Sequence, residues 1–389
     1  MKKILFLSFY FEPDLSACSF RNSPLAFELA KQLKGIGKID VITTSPNRYS
    51  SFISESSDFE EKDNLSIKRI TIPKHTNGFF DQILAFKYFY FQVKKIVKRN
   101  QYDLIYASSS RLFTSYLAYK IAAKNNTPLY IDIRDVFSDS MNDVISSKLI
   151  KLFAIPALRY IENKVFSYAL HINLISAGFE PLFKKYQSAN YSFFTNGIDE
   201  LFIMENNYYE LLSKDRIVIT YAGNIGEGQG LHKIIPQTAQ KLGTKYFFRI
   251  IGDGGAIKLL EKEIELRNIS NVSIEKPVKR TELIEIYKRS HFLFLHLNDY
   301  RAYEKVLPSK IFEYGAFPRP IIAGVNGYAK SFLLNYVQNV LVFEPANFTE
   351  LAMKIEEIEY NIPDRTSFIA NFKREFINKE MAMSICNYL

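Results

Sequence analysis

The feature that most constrains this chain is a rhythm: short runs of β-type composition, most of them largely apolar, alternate with longer amphipathic stretches along nearly its whole length. In the first half the runs are residues 3–11, 39–43, 66–71, 104–107, 129–133, 171–175 and 191–194. In the second half they are residues 217–221, 247–251, 272–274, 292–297, 321–323 and 340–343. Strands this apolar need cover on both faces, and helices between consecutive strands supply it, so the pattern predicts parallel sheets in an α/β fold. At 389 residues with 47% apolar side chains the chain can bury two cores. The rhythm breaks over residues 197–214, where turn and polar residues collect. The expectation is two Rossmann-like, doubly wound domains facing across a cleft. The first would span 1–198, with a C-terminal helix of about 366–389 packing back on it; the second would span 199–365.

Chemistry in such domains gathers at the carboxyl ends of strands. After the run at 217–221 comes Ala222-Gly223-Asn224-Ile225-Gly226-Glu227-Gly228-Gln229-Gly230, leading into a helix near Leu231. Glycines let backbone approach a ligand, and free N–H groups at a helix start attract phosphate. A tight strand-to-helix turn is the plainer reading of Gly223 alone. Gly252-Asp253-Gly254-Gly255 follows the next run, a weaker signal because Asp-Gly is common in turns. The most informative stretch runs from Glu304 through Pro308-Ser309-Lys310-Ile311-Phe312-Glu313-Tyr314. Pro308 suits a first helical turn, Ser309 can cap orphan N–H groups, and Lys310 adds charge where the helix dipole already favours an anion. Glu313 shares the face of Lys310, placed to accept hydroxyl hydrogen bonds from a ribose; the alternative is a surface ion pair between the two.

These pieces together resemble retaining family 4 glycosyltransferases of the GT-B fold, in the bacterial surface-polysaccharide branch similar to L-fucosamine transferases. The resemblance rests on Gly223-Asn224, Gly252-Asp253-Gly254, Pro308 to Tyr314 and Gly324-Val325-Asn326-Gly327, with Phe9 to Pro13, Arg21, Arg134-Asp135 and Asn196 to Asp199 in the first half. It implies that Glu313 holds the donor ribose and that the backbone near Val278 contacts the base. The family often has another glutamate eight positions before the ribose-binding one; here Lys305 stands there and Glu304 one step earlier, so Glu304 is the candidate for the donor sugar. Many members carry a basic residue where this chain has Gln229, which leaves Lys310, then Lys305 or Arg280, to meet the diphosphate. No metal or other cofactor is expected.

On the acceptor side, Asp135 is placed to orient or deprotonate an acceptor hydroxyl, or else to pin a loop through Arg134; Asp132 is the weaker base candidate. Arg134 and Arg21 are candidate acceptor-binding cations, with helix-start solvation the plainer role for Arg21. Residues 1–200 carry 26 Lys+Arg against 19 Asp+Glu and the rest 24 against 22, so most of the net charge of +9 lies in the first half. Residues 79–99 combine a core stripe with a second apolar face of Phe80, Leu84, Tyr88 and Phe91, then Lys94, Lys95, Lys98 and Arg99. Residues 148–166 are similar. Both suit an anionic membrane surface, or burial in a core or dimer; no nucleic-acid recognition motif accompanies them.

The expected activity is transfer of a hexose or N-acetyl deoxy-aminohexose from a UDP-sugar to a lipid-diphosphate-linked glycan in O-antigen or capsule biosynthesis. A sugar-nucleotide epimerase and a non-catalytic nucleotide-sugar-binding subunit are the alternatives. No spanning helix, signal peptide or disulfide framework is evident, the two cysteines being Cys18 and Cys386, so the expected location is cytoplasmic, peripheral at the inner membrane face.

Overall fold

The computed structural model describes the chain apart from residues 48–55, 74–78, 110–111, 146 and 205–209, and apart from the side chains of 79–83, 144 and 204. It divides into two compact units, residues 1–196 with 376–389 and residues 197–375.

The first unit is built on β1 (Lys2–Leu7), β2 (Gly37–Thr44), β3 (Phe59–Lys62), β4 (Leu65–Ile70), β5 (Leu104–Ser108), β6 (Leu129–Ile133), β7 (His171–Leu174) and β8 (Asn190–Ser192). Among the described residues they form one sheet in the order β3-β4-β2-β1-β5-β6-β7-β8. Every pairing is parallel except β3 with β4. The apolar runs are central strands, and all of β5, β6 and β7 is buried, as a sheet covered on both faces requires. On one face Phe6, Tyr106 and Tyr130 pack against Leu25 and Leu29 of the helix Ala17–Gln32 and against Met381, Ala382 and Ile385 near the C-terminus. Ser16 starts that helix by accepting a hydrogen bond from the Ser19 N–H at 3.1 Å.

The second unit holds β9 (Ile217–Asn224), β10 (Tyr246–Asp253), β11 (Val272–Glu275), β12 (Phe292–His296), β13 (Ile321–Gly324) and β14 (Val340–Phe343). They lie in the order β11-β10-β9-β12-β13-β14, all parallel, with a buried apolar cluster on each face. The strand order reverses between β9 and β12, and ligands of doubly wound sheets bind beside such a switch point. The loops that leave it are the glycine loop after β9 and the segment leading to Pro308.

The C-terminal stretch departs from the expected single helix of 366–389. A helix at Thr366–Phe372 ends at Lys373, and a second runs from Arg374 to Cys386. Residues 366–375 stay with the second unit: Phe368 and Phe372 pack against Phe312 and Phe332, and Lys373 forms a parallel bridge with Ile198. Asp199 reinforces that bridge by ion-pairing Arg374 at 2.6 Å and Arg280 at 2.8 Å.

Candidate active site

In the second unit, the loops after β9 and β10 are in register, Gly223 opposite Gly252. A Cβ at Gly252 would overlap the carbonyl oxygen of Gly223, and its φ of 156° also disfavours a side chain. Glycine there is demanded by the approach of the two loops. Asp253 accepts a hydrogen bond from the Gly254 N–H at 2.7 Å, and its carbonyl accepts one from the Ile225 N–H at 2.9 Å. Gln229 has an internal role: its Oε1 accepts from Asn224 Nδ2 at 2.7 Å and from the Gly226 N–H at 3.2 Å, folding the loop on itself.

Two residues that the sequence reading passed over hold this loop from below. Asn298 donates from its backbone to the Gly228 carbonyl at 2.8 Å and from Nδ2 to the Glu227 carbonyl at 2.9 Å. His296, wholly buried at the end of β12, lies 2.6 Å from the Gln229 carbonyl through Nδ1 and accepts the Ala346 N–H at Nε2, 2.9 Å away. The acceptor role of Nε2 leaves Nδ1 as the protonated nitrogen, so the ring is neutral; burial pushes its pKa down to about 4. A histidine ending an apolar strand at the same sheet edge as two glycine loops was the available signal.

Pro308 and Ser309 precede a short helix, Lys310–Gly315. Ser309 makes no side-chain capping bond, contrary to the expectation from its position: it already has helical φ and ψ, and capping oxygens act from an extended residue. The helix is tied to the switch point because Tyr314 Oη accepts the Ala222 N–H at 3.0 Å. That amide lies just past Thr220, where the β9–β12 ladder stops, so a buried orphan donor is satisfied. Lys310 and Glu313 pair at 2.7 Å, both partly buried. The Lys310 ammonium also lies 5.6 Å from the centre of the Tyr314 ring, and its Cε passes beside Gly223. Glu313 Oε1 accepts a second bond, at 2.5 Å, from Tyr287, which no local pattern had marked. The fold thus brings Gly223, Gly252, Lys310 and Glu313 to one sheet edge.

Glu304 is not drawn in with them: its side chain is exposed, while its backbone closely approaches Gly327, whose φ of 57° and lack of a Cβ permit the contact. Val278 lies half-buried between β11 and the helix Arg280–Lys288, against the apolar core. Arg280 pairs with Asp199 and lies over the ring of Phe202.

In the first unit, Arg21 corrects the sequence reading. Its side chain is 2% exposed and makes a two-pronged ion pair with Asp132, at 2.7 Å and 2.9 Å, while also donating to the carbonyls of Phe194 and Thr195. Burial alone would raise the Asp132 carboxyl, but the Arg21 charge and hydrogen bonds, helped by Arg134 and Asn173, hold it below its ordinary value. Neither side chain is available to an acceptor. Arg134 donates its backbone N–H to Ser109 Oγ at 2.9 Å, and its guanidinium Nη1 is buried without a hydrogen-bond partner. Asp135 is exposed, yet desolvation by the protein around it pushes its pKa up to about 6 against the opposing charge of Arg134. Because water reaches this side chain, we read that shift as acidity rather than as stored stability.

The helices Phe79–Val97 and Lys148–Tyr168 belong to the same unit. Phe86, Phe89, Val93 and Val97 face the core, whereas Leu84, Tyr88 and Phe91 are exposed beside exposed Lys94, Lys95, Lys98 and Arg99. The side chains of Phe79, Phe80 and Ile83 lie outside the described residues. On the second helix Leu149, Ile150, Leu152 and Phe153 are exposed, and Ile155 is buried. No helix among the described residues is long and apolar enough to cross a membrane.

Residues 205–375 match the family model described as Glycosyl transferases group 1. A 100-residue stretch is 30% identical to the putative colanic acid biosynthesis glycosyl transferase WcaI of Escherichia coli K12; it covers 26% of this chain and about a quarter of that protein, 24%. Among solved structures, sucrose-phosphate synthase from Thermosynechococcus elongatus superposes with a TM-score of 0.71 at 12% identity, over 99% of this chain and 95% of that one. Anabaena HepE in complex with UDP-glucose superposes with a TM-score of 0.67 at 17% identity, over the whole of both chains. The chain has the two-domain fold of the GT-B glycosyltransferases, and the match to glycosyl transferases group 1 falls on its second unit, at residues 205–375.

Proposed function

We propose that this chain is a retaining, metal-independent glycosyltransferase that moves a hexose or N-acetyl deoxy-aminohexose from a UDP-sugar to a lipid-diphosphate-linked glycan acceptor in O-antigen or capsule biosynthesis. The observation that carries the reading is the cluster at the β9/β12 switch point, where Lys310 and Glu313 stand beside the glycine loop after β9. In this reading Glu313 accepts the ribose hydroxyls through Oε2, since Oε1 already takes bonds from Lys310 and Tyr287. The ammonium of Lys310 stabilises the charge that builds on the departing diphosphate, and the backbone N–H groups of the glycine loop add to it. Solved complexes of HepE with UDP and with UDP-glucose favour UDP as the carrier. Retention of anomeric configuration follows the family resemblance.

The acceptor is assigned to the first unit. Asp135 takes the proton of the acceptor hydroxyl, and Arg134, with its unpartnered Nη1, meets an acceptor oxygen. The exposed apolar and basic residues of the helices Phe79–Val97 and Lys148–Tyr168 rest on an anionic membrane that carries the lipid-linked acceptor, a peripheral placement at its cytoplasmic face. The similarity to WcaI supports a role in bacterial polysaccharide assembly.

The donor assignment is tested by measuring UDP release with purified Lys310→Ala and Glu313→Ala. Lys310→Ala is expected to lower turnover about a hundredfold, the scale of losing one group that stabilises a developing charge, and Glu313→Ala, which loses the ribose hydrogen bonds, to raise the KM for the donor about tenfold or more. Full transfer by both variants would overturn the assignment.

A further inference from the structure

Tyr287 lies on the helix Arg280–Lys288 with its ring wholly buried, edge-on to Tyr314 and Phe317 at 5.4 Å and 5.0 Å between centroids. Only its hydroxyl leaves this apolar packing, and it meets Glu313 Oε1 at 2.5 Å. Lys310 Nζ reaches the same carboxylate oxygen at 2.7 Å and the tyrosine hydroxyl at 3.4 Å. One oxygen of Glu313 therefore takes two donors from two different elements, and the other is left over.

The two donors differ in what they can do. The lysine is a charge on a flexible stem, which a diphosphate would draw toward itself. The phenol is carried by a ring with no freedom to follow. Burial and the neighbouring Glu313 charge push its pKa well above the ordinary value, so it remains a protonated donor at any working pH. A carboxylate without such a fixed donor samples several rotamers, and ordering it on binding costs free energy.

We propose that Tyr287 is a positioning residue for the donor nucleoside: it pins Glu313 through Oε1 so that Oε2 is presented to the ribose hydroxyls, and it keeps doing so when Lys310 turns to the diphosphate. This rests on the reading of Glu313 as the ribose-binding carboxylate. It adds that ribose recognition depends on a buried tyrosine which never touches the nucleotide.

The test compares full-length wild-type protein with Tyr287→Phe, a change that leaves the ring packing in place, by calorimetric titration with UDP and with 2′,3′-dideoxy-UDP. Wild type is expected to favour UDP by about tenfold or more, the scale of hydrogen bonds to a charged group. Tyr287→Phe is expected to bind UDP roughly tenfold more weakly, to bind the dideoxy nucleotide within about twofold of wild type, and so to lose most of the ribose preference. A purely structural role would weaken both nucleotides alike, and that result, or an unchanged preference, would overturn the proposal. Lack of ribose preference in wild type itself would instead remove Glu313 as the ribose ligand, and this role with it. Glu313→Ala is the reference for full loss of the preference.

Discussion

Replacing Asp132 by asparagine gives the sharpest test of how the first unit is held together. The substitution keeps the shape of the side chain and removes its charge, leaving the Arg21 guanidinium buried at 2% exposure with the Phe194 and Thr195 carbonyls, the Met381 sulfur and the new neutral amide around it. Removing one partner of a buried ion pair costs about 3–5 kcal/mol, and the retained carbonyl acceptors argue for the lower end. For a unit of this size each kcal/mol shifts the midpoint by roughly 2–4 °C, so the unfolding transition of the first unit should fall by about 6–12 °C at the lower figure. Differential scanning calorimetry on the full chain, wild type beside variant, reads it. The pH dependence has a definite sign. The Asp132 carboxyl is held below its ordinary value in the fold, so its contribution is present above about pH 4 and lost as pH falls through the depressed folded value. The gap between wild type and variant should narrow in acid. A double variant, Arg21→Met with Asp132→Leu, removes both charges and should recover much of the loss. A transition within about 2 °C of wild type in the single variant would refute the reasoning, since it would mean less than about 1 kcal/mol rests on the pair.

Two further expectations follow from the first unit. If Asp135 takes the acceptor proton, turnover should rise as pH climbs through about 6, where its raised carboxyl ionises, and Asp135→Asn should abolish that limb while lowering the plateau by roughly a hundredfold or more; a wild-type limb retained in the variant would assign the titration elsewhere. Neutralising Lys94, Lys95, Lys98 and Arg99 together should release the protein from anionic liposomes in a flotation assay, since each such cation near the surface contributes about 1 kcal/mol; binding that persists would discard the membrane-facing role of the helix Phe79–Val97.

How much of the fold could be read beforehand follows from how each element is stabilised. Parallel strands covered on both faces are apolar at nearly every position, so β6, in spite of Asp132, and β14 were legible at their observed limits, and most other strands within a residue or two. β3 was not: Phe59–Lys62 carries three charges in four residues and is exposed throughout, and its pairing with β4 depends on the turn at Asp63, a non-glycine residue at φ 53°. The break at Lys373 was equally hidden, because what ends the helix is a backbone bridge to Ile198, far away in sequence. Local propensity contains nothing of that partner.

The same division runs through the candidate site. Lys310 and Glu313 were legible as a pair because three residues along a helix share a face, and Gly223 and Gly252 because strand-end glycines announce close backbone approach. Arg21 was misread for the opposite reason. It follows a polar loop and looks like a surface cation, but its partner is 111 residues distant, on the strand whose alternation sends Asp132 inward. Tyr287 likewise sits among Ile284 and Ile286 in what reads as a plain core stripe, and only the tertiary fold brings its hydroxyl to Glu313. A side chain's spacing along its own element tells which way it points, whereas its chemistry depends on what the topology puts opposite. For that reason the ion pair and the proposed ribose ligand are not exclusive: Lys310 and Tyr287 both bond Oε1 of Glu313, and under the proposed reading they orient the other oxygen.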